Sequence, residues 1–341
     1  MRTIDWDYEK NNIIMIDQTL LPVEYRVIEC SSIDSLCEAI ISLRVRGAPA
    51  LGAAGGFGVA LAAFKCNASS LDAIIKNIEN AGKTLIATRP TAVNLSWGVK
   101  RVIRAVEDAR NIKEAKMFAL DEAKEIADED VKKNMQLGEY GASLLEDGDT
   151  VMTHCNAGRL ACVDWGTALG VIRSARAEGK DIKVISCETR PLNQGSRLTA
   201  WELMEDKIPV TLITDSMSGH VMRKGMVDKV IVGADRITHD AVFNKIGTYT
   251  HSIVAKEHGI PFYVAAPVST FDFEMFEDEV EIEIRKPEEL RFFGNRQIAP
   301  LDVDVYNPAF DATPMENVTG IITENGIYYP PFLIEEVKIR V

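Results

Sequence analysis

Apolar residues in the first part of the chain recur every three to four positions, which is the spacing of amphipathic helices. The pattern predicts helices near 31–43, 48–65, 70–87, 93–110 and 113–145. Two short apolar runs ahead of them, at 13–17 and 23–29, predict strands. We therefore expect an N-terminal, mainly helical domain with a few short strands over residues 1–145.

The pattern changes near residue 150, where short, fully apolar runs begin to alternate with helical segments. The predicted strands are 150–154, 182–187, 210–213, 229–232 and 262–265, and the predicted helices are 160–178, 195–206, 215–224 and 248–258. Such alternation indicates right-handed crossovers and a parallel sheet. The fold class is therefore α/β, with a Rossmann-like doubly wound parallel sheet over residues 146–341. The tail beyond residue 280 looks irregular, with short strands near 281–284 and 318–322.

Charge and hydropathy exclude several classes of function. The chain has 341 residues, with 38 Lys and Arg against 51 Asp and Glu, so its formal net charge is −13. This balance argues against nucleic-acid partners and against a polybasic membrane anchor, because both need a basic face. A small anionic substrate stays compatible, since a few local arginines can override the global field. With no uninterrupted run of eighteen apolar residues and a polar N-terminus, we expect a cytoplasmic protein without a membrane partner.

Cysteine, histidine and glycine spacing limits the candidate cofactors. The six cysteines contain no Cys-x-x-Cys pair and are too few for a disulfide framework, so we expect reduced thiols. The five histidines lack metal-ligand spacing such as His-x-x-x-His. No Gly-x-Gly-x-x-Gly opens the α/β half, and the glycines at 47–52 lack the lysine of a phosphate-binding loop. Metal and nucleotide sites are therefore not indicated.

Two reactive side chains follow predicted strands, where parallel sheets bind their ligands. Cys155 comes at the end of strand 150–154 and directly before a predicted helix, whose dipole would favour a thiolate. The alternative is a buried structural cysteine. Asp235 follows strand 229–232, where it is either an acid–base carboxyl with a pKa tuned by burial or a turn cap paired with Arg236.

A run of small residues, 46–56, joins a charged segment to a predicted helix. Pro49 suits the first helical turn, and the amides exposed there, together with Arg46, would favour an anion. Close packing between helices is the other interpretation. We assign anion binding to Arg46, Gly47 and Ala48, and helix packing to the small residues 52–58.

Further cations lie in loops. Arg89 and Arg190 each precede a proline, which keeps the backbone extended and suits either a phosphate contact or a surface ion pair. Lys245 precedes a predicted helix and is either another phosphate ligand or a solvated lysine.

Several of these runs together resemble one family along nearly the whole chain. They are Arg46–Ala50, Thr88–Leu95, Thr153–Gly158, Glu188–Pro191 with Gln194-Gly195, Gly233–Arg236, Asn244–Tyr249 and Asn307–Pro314. In this order they resemble methylthioribose-1-phosphate isomerases. That superfamily also contains regulatory subunits of a translation initiation exchange factor and ribose-1,5-bisphosphate isomerases.

The resemblance implies an activity and a site. Family members convert 5-methylthioribose 1-phosphate to 5-methylthioribulose 1-phosphate in methionine salvage, as homodimers without a metal or an organic cofactor. It implies that Cys155 and Asp235 are the catalytic pair. The substrate-binding positions that it implies are Arg46, Gly47, Ala48, Arg89, Gln194, Asn244 and Lys245. Because these residues come from both predicted domains, we expect the site between them.

The resemblance leaves alternatives open. The run between Asp235 and Asn244 is one residue shorter than in bacterial members, so 5-deoxyribose 1-phosphate is a second candidate substrate. Ribose 1,5-bisphosphate is a third, although a second phosphate would call for another cationic cluster. A non-enzymatic regulatory subunit is the alternative of a different class, but it would not require a thiol and a carboxyl at these strand ends.

Overall fold

The computed structural model describes residues 2–90, 92–332 and 337. The chain forms two compact units. One comprises Met1–Asn134 and Gly158–Gly166, and the other comprises Met135–Ala157 and Thr167–Val341. The division falls inside a long helix, ahead of the predicted position at 145, and a short excursion of the chain returns to the first unit.

The first unit combines a three-stranded antiparallel sheet with the long helices that its apolar periodicity predicts. Its strands are β1 (Ile4–Asp7), β2 (Asn12–Ile16) and β3 (Val27–Cys30). The helices are α1 (Ile33–Ile41), α2 (Ala48–Lys65), α3 (Leu71–Thr88), α4 (Val93–Val106) and α5 (Ile112–Ala142), whose last residues belong to the second unit. Helix α2 has the predicted bounds, whereas β1 was not predicted.

Helix α2 is the centre of this unit because small residues let its neighbours approach. A Cβ on Gly98 of α4 would lie 2.1 Å from the carbonyl oxygen of Gly52, and one on Gly55 would lie 2.6 Å from that of Leu95. The packing interpretation of the residues 52–58 is therefore confirmed. Although α2 is long and apolar enough to cross a membrane, 78% of it is buried inside the protein, as in a core helix.

In its described residues, the second unit contains the predicted parallel sheet and two smaller antiparallel ones. Its strands are β4 (Thr150–Thr153), β5 (Lys183–Cys187), β6 (Val210–Ile213), β7 (Lys229–Val232), β8 (Arg236–Ile237), β9 (Ala241–Lys245), β10 (Phe262–Ala265), β11 (Phe292–Phe293), β12 (Arg296–Gln297), β13 (Phe310–Pro314), β14 (Gly320–Thr323) and β15 (Gly326–Tyr328). Its helices are α6 (Ala168–Ala177), α7 (Ala200–Glu205), α8 (Ser218–Arg223), α9 (Thr248–Glu257) and α10 (Glu288–Arg291).

Among the described residues, the main sheet has seven strands in the order β15-β14-β10-β7-β4-β5-β6, and only β15 runs antiparallel to its neighbour. From β4 the chain moves outward to β5 and β6, then returns to place β7 on the other side of β4. The strand order therefore reverses between β4 and β7, which is the topological switch point where ligands bind in such folds.

Three predicted helices begin later than expected. The helix predicted at 160–178 is a 3₁₀ turn at Arg159–Ala161 followed by α6, because positive φ at Trp165 and Gly166 (64° and 88°) interrupts it. The helices predicted from 195 and 215 open with a π turn and a 3₁₀ turn before α7 and α8.

The tail is more regular than its sequence indicates. Strand β13 pairs antiparallel with β9, which in turn pairs with β8. The strand predicted near 281–284 is absent from the described residues, where Ile284 forms only an isolated bridge with Pro308. The strand predicted near 318–322 is β14.

Candidate active site

Cys155 and Asp235 follow the two strands that flank the switch point. Met152 of β4 lies beside Val230 of β7 in a parallel pair, and each reactive residue comes shortly after the end of its strand. Neighbouring parallel strands end at the same edge of a sheet, so the two loops meet there. Gly233 sits against Ala157, and a Cβ on Gly233 would lie 2.7 Å from the Ala157 side chain.

Cys155 is held in an unusual backbone conformation by two threonines. Its φ is 67°, in the left-handed region that residues other than glycine rarely occupy. Its N–H donates to Oγ1 of Thr189 at 2.8 Å, and its carbonyl accepts from Oγ1 of Thr199 at 2.7 Å. Because its N–H and carbonyl are both hydrogen-bonded, the backbone of Cys155 is held in place. Its half-buried side chain therefore has a fixed position at the edge of the sheet.

A buried polar network supports Asn156, the residue that follows Cys155. Nδ2 of Asn156 donates to Oε1 of Glu202 at 2.9 Å, and the other carboxylate oxygen of Glu202 pairs with the Arg173 guanidinium at 2.7 Å. Glu202 has 0% exposure, so removing Arg173 would take a counter-charge away from this buried carboxylate. The network makes the turn after β4 rigid.

The α-helix that the sequence predicts directly after Cys155 does not begin there, so its dipole does not act on the thiol. The first α-helix after Cys155 begins at Ala168, and the intervening segment Gly158–Gly166 belongs to the other unit. The fixed geometry of Cys155 comes from the two threonine hydroxyls instead.

Asp235 is tied to the small sheet but is exposed. Its N–H donates to the carbonyl of Phe243 in β9 at 2.8 Å, which fixes its backbone beside Asn244. Its side chain is solvent-exposed, so the burial expected from the sequence is not observed. Position rather than burial makes Asp235 a candidate.

Asn244 and Lys245 are both buried at the end of β9. Lys245 Nζ donates to the carbonyl of Ala309 at 2.7 Å and lies 4.6 Å from the centre of the Phe310 ring. The alternative of a solvated lysine is therefore wrong. Asn244 Nδ2 donates to Thr248 Oγ1 at 3.0 Å, which places its side chain beside the first turn of α9.

Gln194 brings a buried acceptor to the loop after β5. Its side chain is 7% exposed, and Oε1 has no hydrogen-bond partner among the residues that the structure describes. The next residue must be glycine, because a Cβ on Gly195 would lie 1.7 Å from the carbonyl oxygen of Cys187. A substrate hydroxyl could satisfy Oε1 of Gln194.

The remaining predicted ligands lie in the first unit. Gly47 is the N-cap of α2 with φ 97°, and a Cβ there would lie 2.3 Å from the carbonyl oxygen of Ala161, so only glycine fits. Arg46 and Ala48 flank it and are half-buried, and Pro49 lies in the first turn. Arg89 is the C-cap of α3 and is half-buried. Thr91 of the same motif lies outside the described residues.

The Arg190 side chain is held by a neighbouring carbonyl and an aromatic ring. Its guanidinium donates to the carbonyl of Pro191 at 2.7 Å and lies 5.6 Å from the Phe293 ring centre. These contacts position the guanidinium along the loop after β5.

Sequence spacing missed one cluster beside Cys155. His154, Cys187 and His251 bring their donor atoms within 4.8 Å of one another, and all three residues are buried. Burial lowers the pKa of His154 to about 4 and that of His251 to about 3, so both rings are neutral. The signal is spatial, because no pair of these residues has ligand spacing in the sequence.

Comparisons with known proteins agree with this architecture. Residues 44–330 match the model of the initiation factor 2 subunit family. A protein of Methanosarcina acetivorans, provisionally named methylthioribose-1-phosphate isomerase, is 66% identical over 99% of this chain and 97% of its own length. The crystal structure of 5-methylthioribose 1-phosphate isomerase from Pyrococcus horikoshii has a TM-score of 0.93 and 44% identity, covering 99% of this chain and 95% of that one.

A second solved structure carries a different title. It comes from Archaeoglobus fulgidus and is described as translation initiation factor eIF-2B, subunit delta. Its TM-score is 0.93 at 60% identity, with 100% of this chain and 99% of that chain covered. The same fold thus carries an enzyme name and a translation-factor name among similar proteins.

Proposed function

The chain belongs to the initiation factor 2 subunit family, and within it we propose that this protein is an aldose–ketose isomerase. It converts 5-methylthioribose 1-phosphate to 5-methylthioribulose 1-phosphate in methionine salvage. The observation that carries this proposal is the placement of Cys155 and Asp235 directly after the two strands at the switch point. The names of the similar proteins support it.

The substrate dictates what the site has to do. Its anomeric carbon bears the phosphate, so the sugar has no free aldehyde and the ring must open first. Ring opening needs a proton on the ring oxygen. Afterwards one hydrogen moves from C2 to C1 and the C2 hydroxyl gives up its proton to form the ketone, which oxidises C2 and reduces C1 with no external oxidant or reductant. The proton lost from the C2 hydroxyl balances the one gained by the ring oxygen.

Asp235 and Cys155 act in different steps of this reaction. We assign to Asp235 the proton donated to the ring oxygen, because it follows the second of the two switch-point strands. Cys155 acts at C2, either as a thiolate that takes the C2 proton or as a neighbour that shapes a hydride shift. Solvent deuterium in the product at C1 would indicate the proton route, and its absence a hydride shift or a shielded proton.

The remaining predicted residues bind the substrate. Arg46, Arg89 and the backbone amides of Gly47 and Ala48 hold the phosphate, a role supported by the start of the long helix α2. In the second unit, Asn244, Lys245 and the buried acceptor of Gln194 hold the sugar hydroxyls.

We also propose that the protein is a cytoplasmic homodimer. The family resemblance of the motif set supports the dimer, and the acidic balance of −13 supports a solvated exterior. Light scattering on the purified protein tests the dimer, because a mass equal to one chain contradicts it.

A comparison of three substrates tests the activity. The purified protein is assayed with 5-methylthioribose 1-phosphate, 5-deoxyribose 1-phosphate and ribose 1,5-bisphosphate, and kcat/KM is compared. The highest value is expected for the methylthio sugar. A higher value for another sugar reassigns the substrate, whereas no turnover of any of the three favours a regulatory subunit.

A further inference from the structure

We propose that His154, Cys187 and His251 form a structural binding site for Zn²⁺ or a similar soft divalent cation. The three residues come from the loop after β4, the end of β5 and helix α9 of the second unit. Their donor atoms lie within 4.8 Å of one another, and their exposures are 0%, 0% and 2%. Nothing in the proposed isomerisation uses the Cys187 thiol.

The hydrogen bonds leave one nitrogen of each ring for the cluster. Nε2 of His154 lies 2.9 Å from the carbonyl oxygen of Ile246. Because a carbonyl only accepts, Nε2 carries the hydrogen and Nδ1 presents a lone pair. Nδ1 of His251 contacts the Ser218 hydroxyl at 3.0 Å, and its Nε2 faces His154 Nδ1. Metal-binding histidines have this arrangement, in which an outer partner orients the ring.

The spacing of the nitrogens suits a tetrahedral ion. Nδ1 of His154 and Nε2 of His251 are 3.2 Å apart. Two ligands at about 2.05 Å from a tetrahedral Zn²⁺ are separated by about 3.3 Å. One thiol and two imidazoles form a donor set that selects Zn²⁺ over Mg²⁺ or Ca²⁺.

Charges of both signs act on the cluster, the ammonium of Lys245 on His154 and the carboxylate of Asp215 on Cys187. Oδ1 of Asp215 lies 3.7 Å from Nδ1 of His154. After burial, Asp215 is the main cause of the raised pKa of Cys187, so its negative charge also acts on the thiol. Asp215 is fixed by the N–H groups of Thr189 and Arg190, both at 2.7 Å.

Binding requires a defined movement of protons. Without a metal, Nε2 of His251 donates to Nδ1 of His154. On binding, His251 changes tautomer, so that Nδ1 carries the hydrogen and donates to the Ser218 oxygen. The Cys187 thiol loses its proton, and a sulfur–metal bond replaces the S–H bond. One proton is therefore released for each ion bound.

Metal titration of the full chain tests the site. Protein freed of metal with a chelator is titrated with Co²⁺ and with Zn²⁺ in the absence of substrate. We expect one ion per chain, release of one proton, a thiolate-to-cobalt charge-transfer band and a higher unfolding temperature with Zn²⁺. Failure of wild-type protein to bind one ion overturns the proposal.

Variants locate the ion. Cys187→Ser should lose the charge-transfer band, and His251→Leu should weaken binding at least tenfold. The control Cys30→Ser changes another buried cysteine, in the first unit, and should bind as wild type. Cys155→Ser should keep the band, and its loss there would assign the ion to the candidate catalytic thiol and overturn the proposal.

A folding check and a second variant allow the titrations to decide the proposal. Circular dichroism checks that each variant is folded. If Cys187→Ser does not fold, the decision rests on the wild-type spectrum together with His251→Leu, and unweakened binding in that variant overturns the site. Because these titrations contain no sugar, their outcome is independent of whether the protein isomerises the proposed substrate.

Discussion

The N–H of Cys155 donates a 2.8 Å hydrogen bond to Oγ1 of Thr189, and both residues have positive φ, at 67° and 66°. Such a backbone is strained for any residue except glycine and most of all for β-branched threonine. Thr189 is held in turn, because its own N–H donates to Asp215 at 2.7 Å. The loops after β4 and β5 thus fix each other, and the thiol is presented at the switch point.

Removing the Thr189 hydroxyl should slow the proposed isomerisation, although the Cys155 thiol stays in the protein. Thr189→Ala deletes the acceptor of the Cys155 N–H, at a cost of about 1–3 kcal/mol for a buried unpaired donor. We expect kcat to fall by about 10-fold or more with a smaller change in KM. Thr189→Ser keeps the oxygen and should restore most of the rate. Equal kcat for the two variants would contradict a positioning role.

Substitution of the two proposed reacting groups should abolish turnover while the fold stays intact. Cys155→Ser and Asp235→Asn are each expected to lower kcat by about 10²–10⁴-fold, the range for losing an acid–base or nucleophilic group. Cys66→Ser, which changes a half-buried cysteine at the end of α2, is the matched control and should keep wild-type kcat. Near wild-type kcat in either site variant would refute the role assigned to that residue.

The contact between the two site loops leaves no room for a methyl group. A Cβ on Gly233 would lie 2.7 Å from the Ala157 side chain, so Gly233→Ala should destabilise the protein by about 1–3 kcal/mol and reduce activity. Gly219→Ala in α8 is the control, because its Cβ would meet its nearest atom at 3.7 Å. Urea unfolding compares the two, and equal midpoints would show that the loops do not pack as described.

The two buried histidines should reduce the stability of the protein in acid, because there only the unfolded chain protonates them. Burial lowers the pKa of His154 to about 4 and of His251 to about 3, below their ordinary value of 6.5. Between each lowered pKa and 6.5, the unfolded chain binds more protons than the folded one. The stability that these neutral histidines contribute is therefore present above pH 6.5 and is lost as the pH falls. Each histidine contributes a slope of up to about 1.4 kcal/mol per pH unit.

The pH measurement has an internal check. Burial raises the pKa of Asp311 from 3.8 to about 6 and that of Asp130 from 3.8 to about 7, so both carboxyls act in the opposite direction. Their stabilising effect is lost as the pH rises through these values. In urea unfolding from pH 7 to pH 4, His251→Gln should flatten the loss of stability, whereas Asp311→Asn should steepen it. A His251→Gln slope equal to wild type would contradict a neutral, buried His251.

The sequence by itself determined the local elements and the residues at their ends. Helix α2 and strands β6, β7 and β10 have their predicted bounds, because periodicity and runs of apolar residues are local properties. The same pattern placed Cys155 and Asp235 after strands.

Only the tertiary structure decided which strand ends become neighbours. Strand order brings β4 beside β7, although two other strands lie between them in the sequence. It also left Asp235 exposed and buried Lys245, since burial depends on what packs over a residue and not on its own polarity. His154, Cys187 and His251 meet for the same reason: contacts across a sheet join residues that no spacing rule relates.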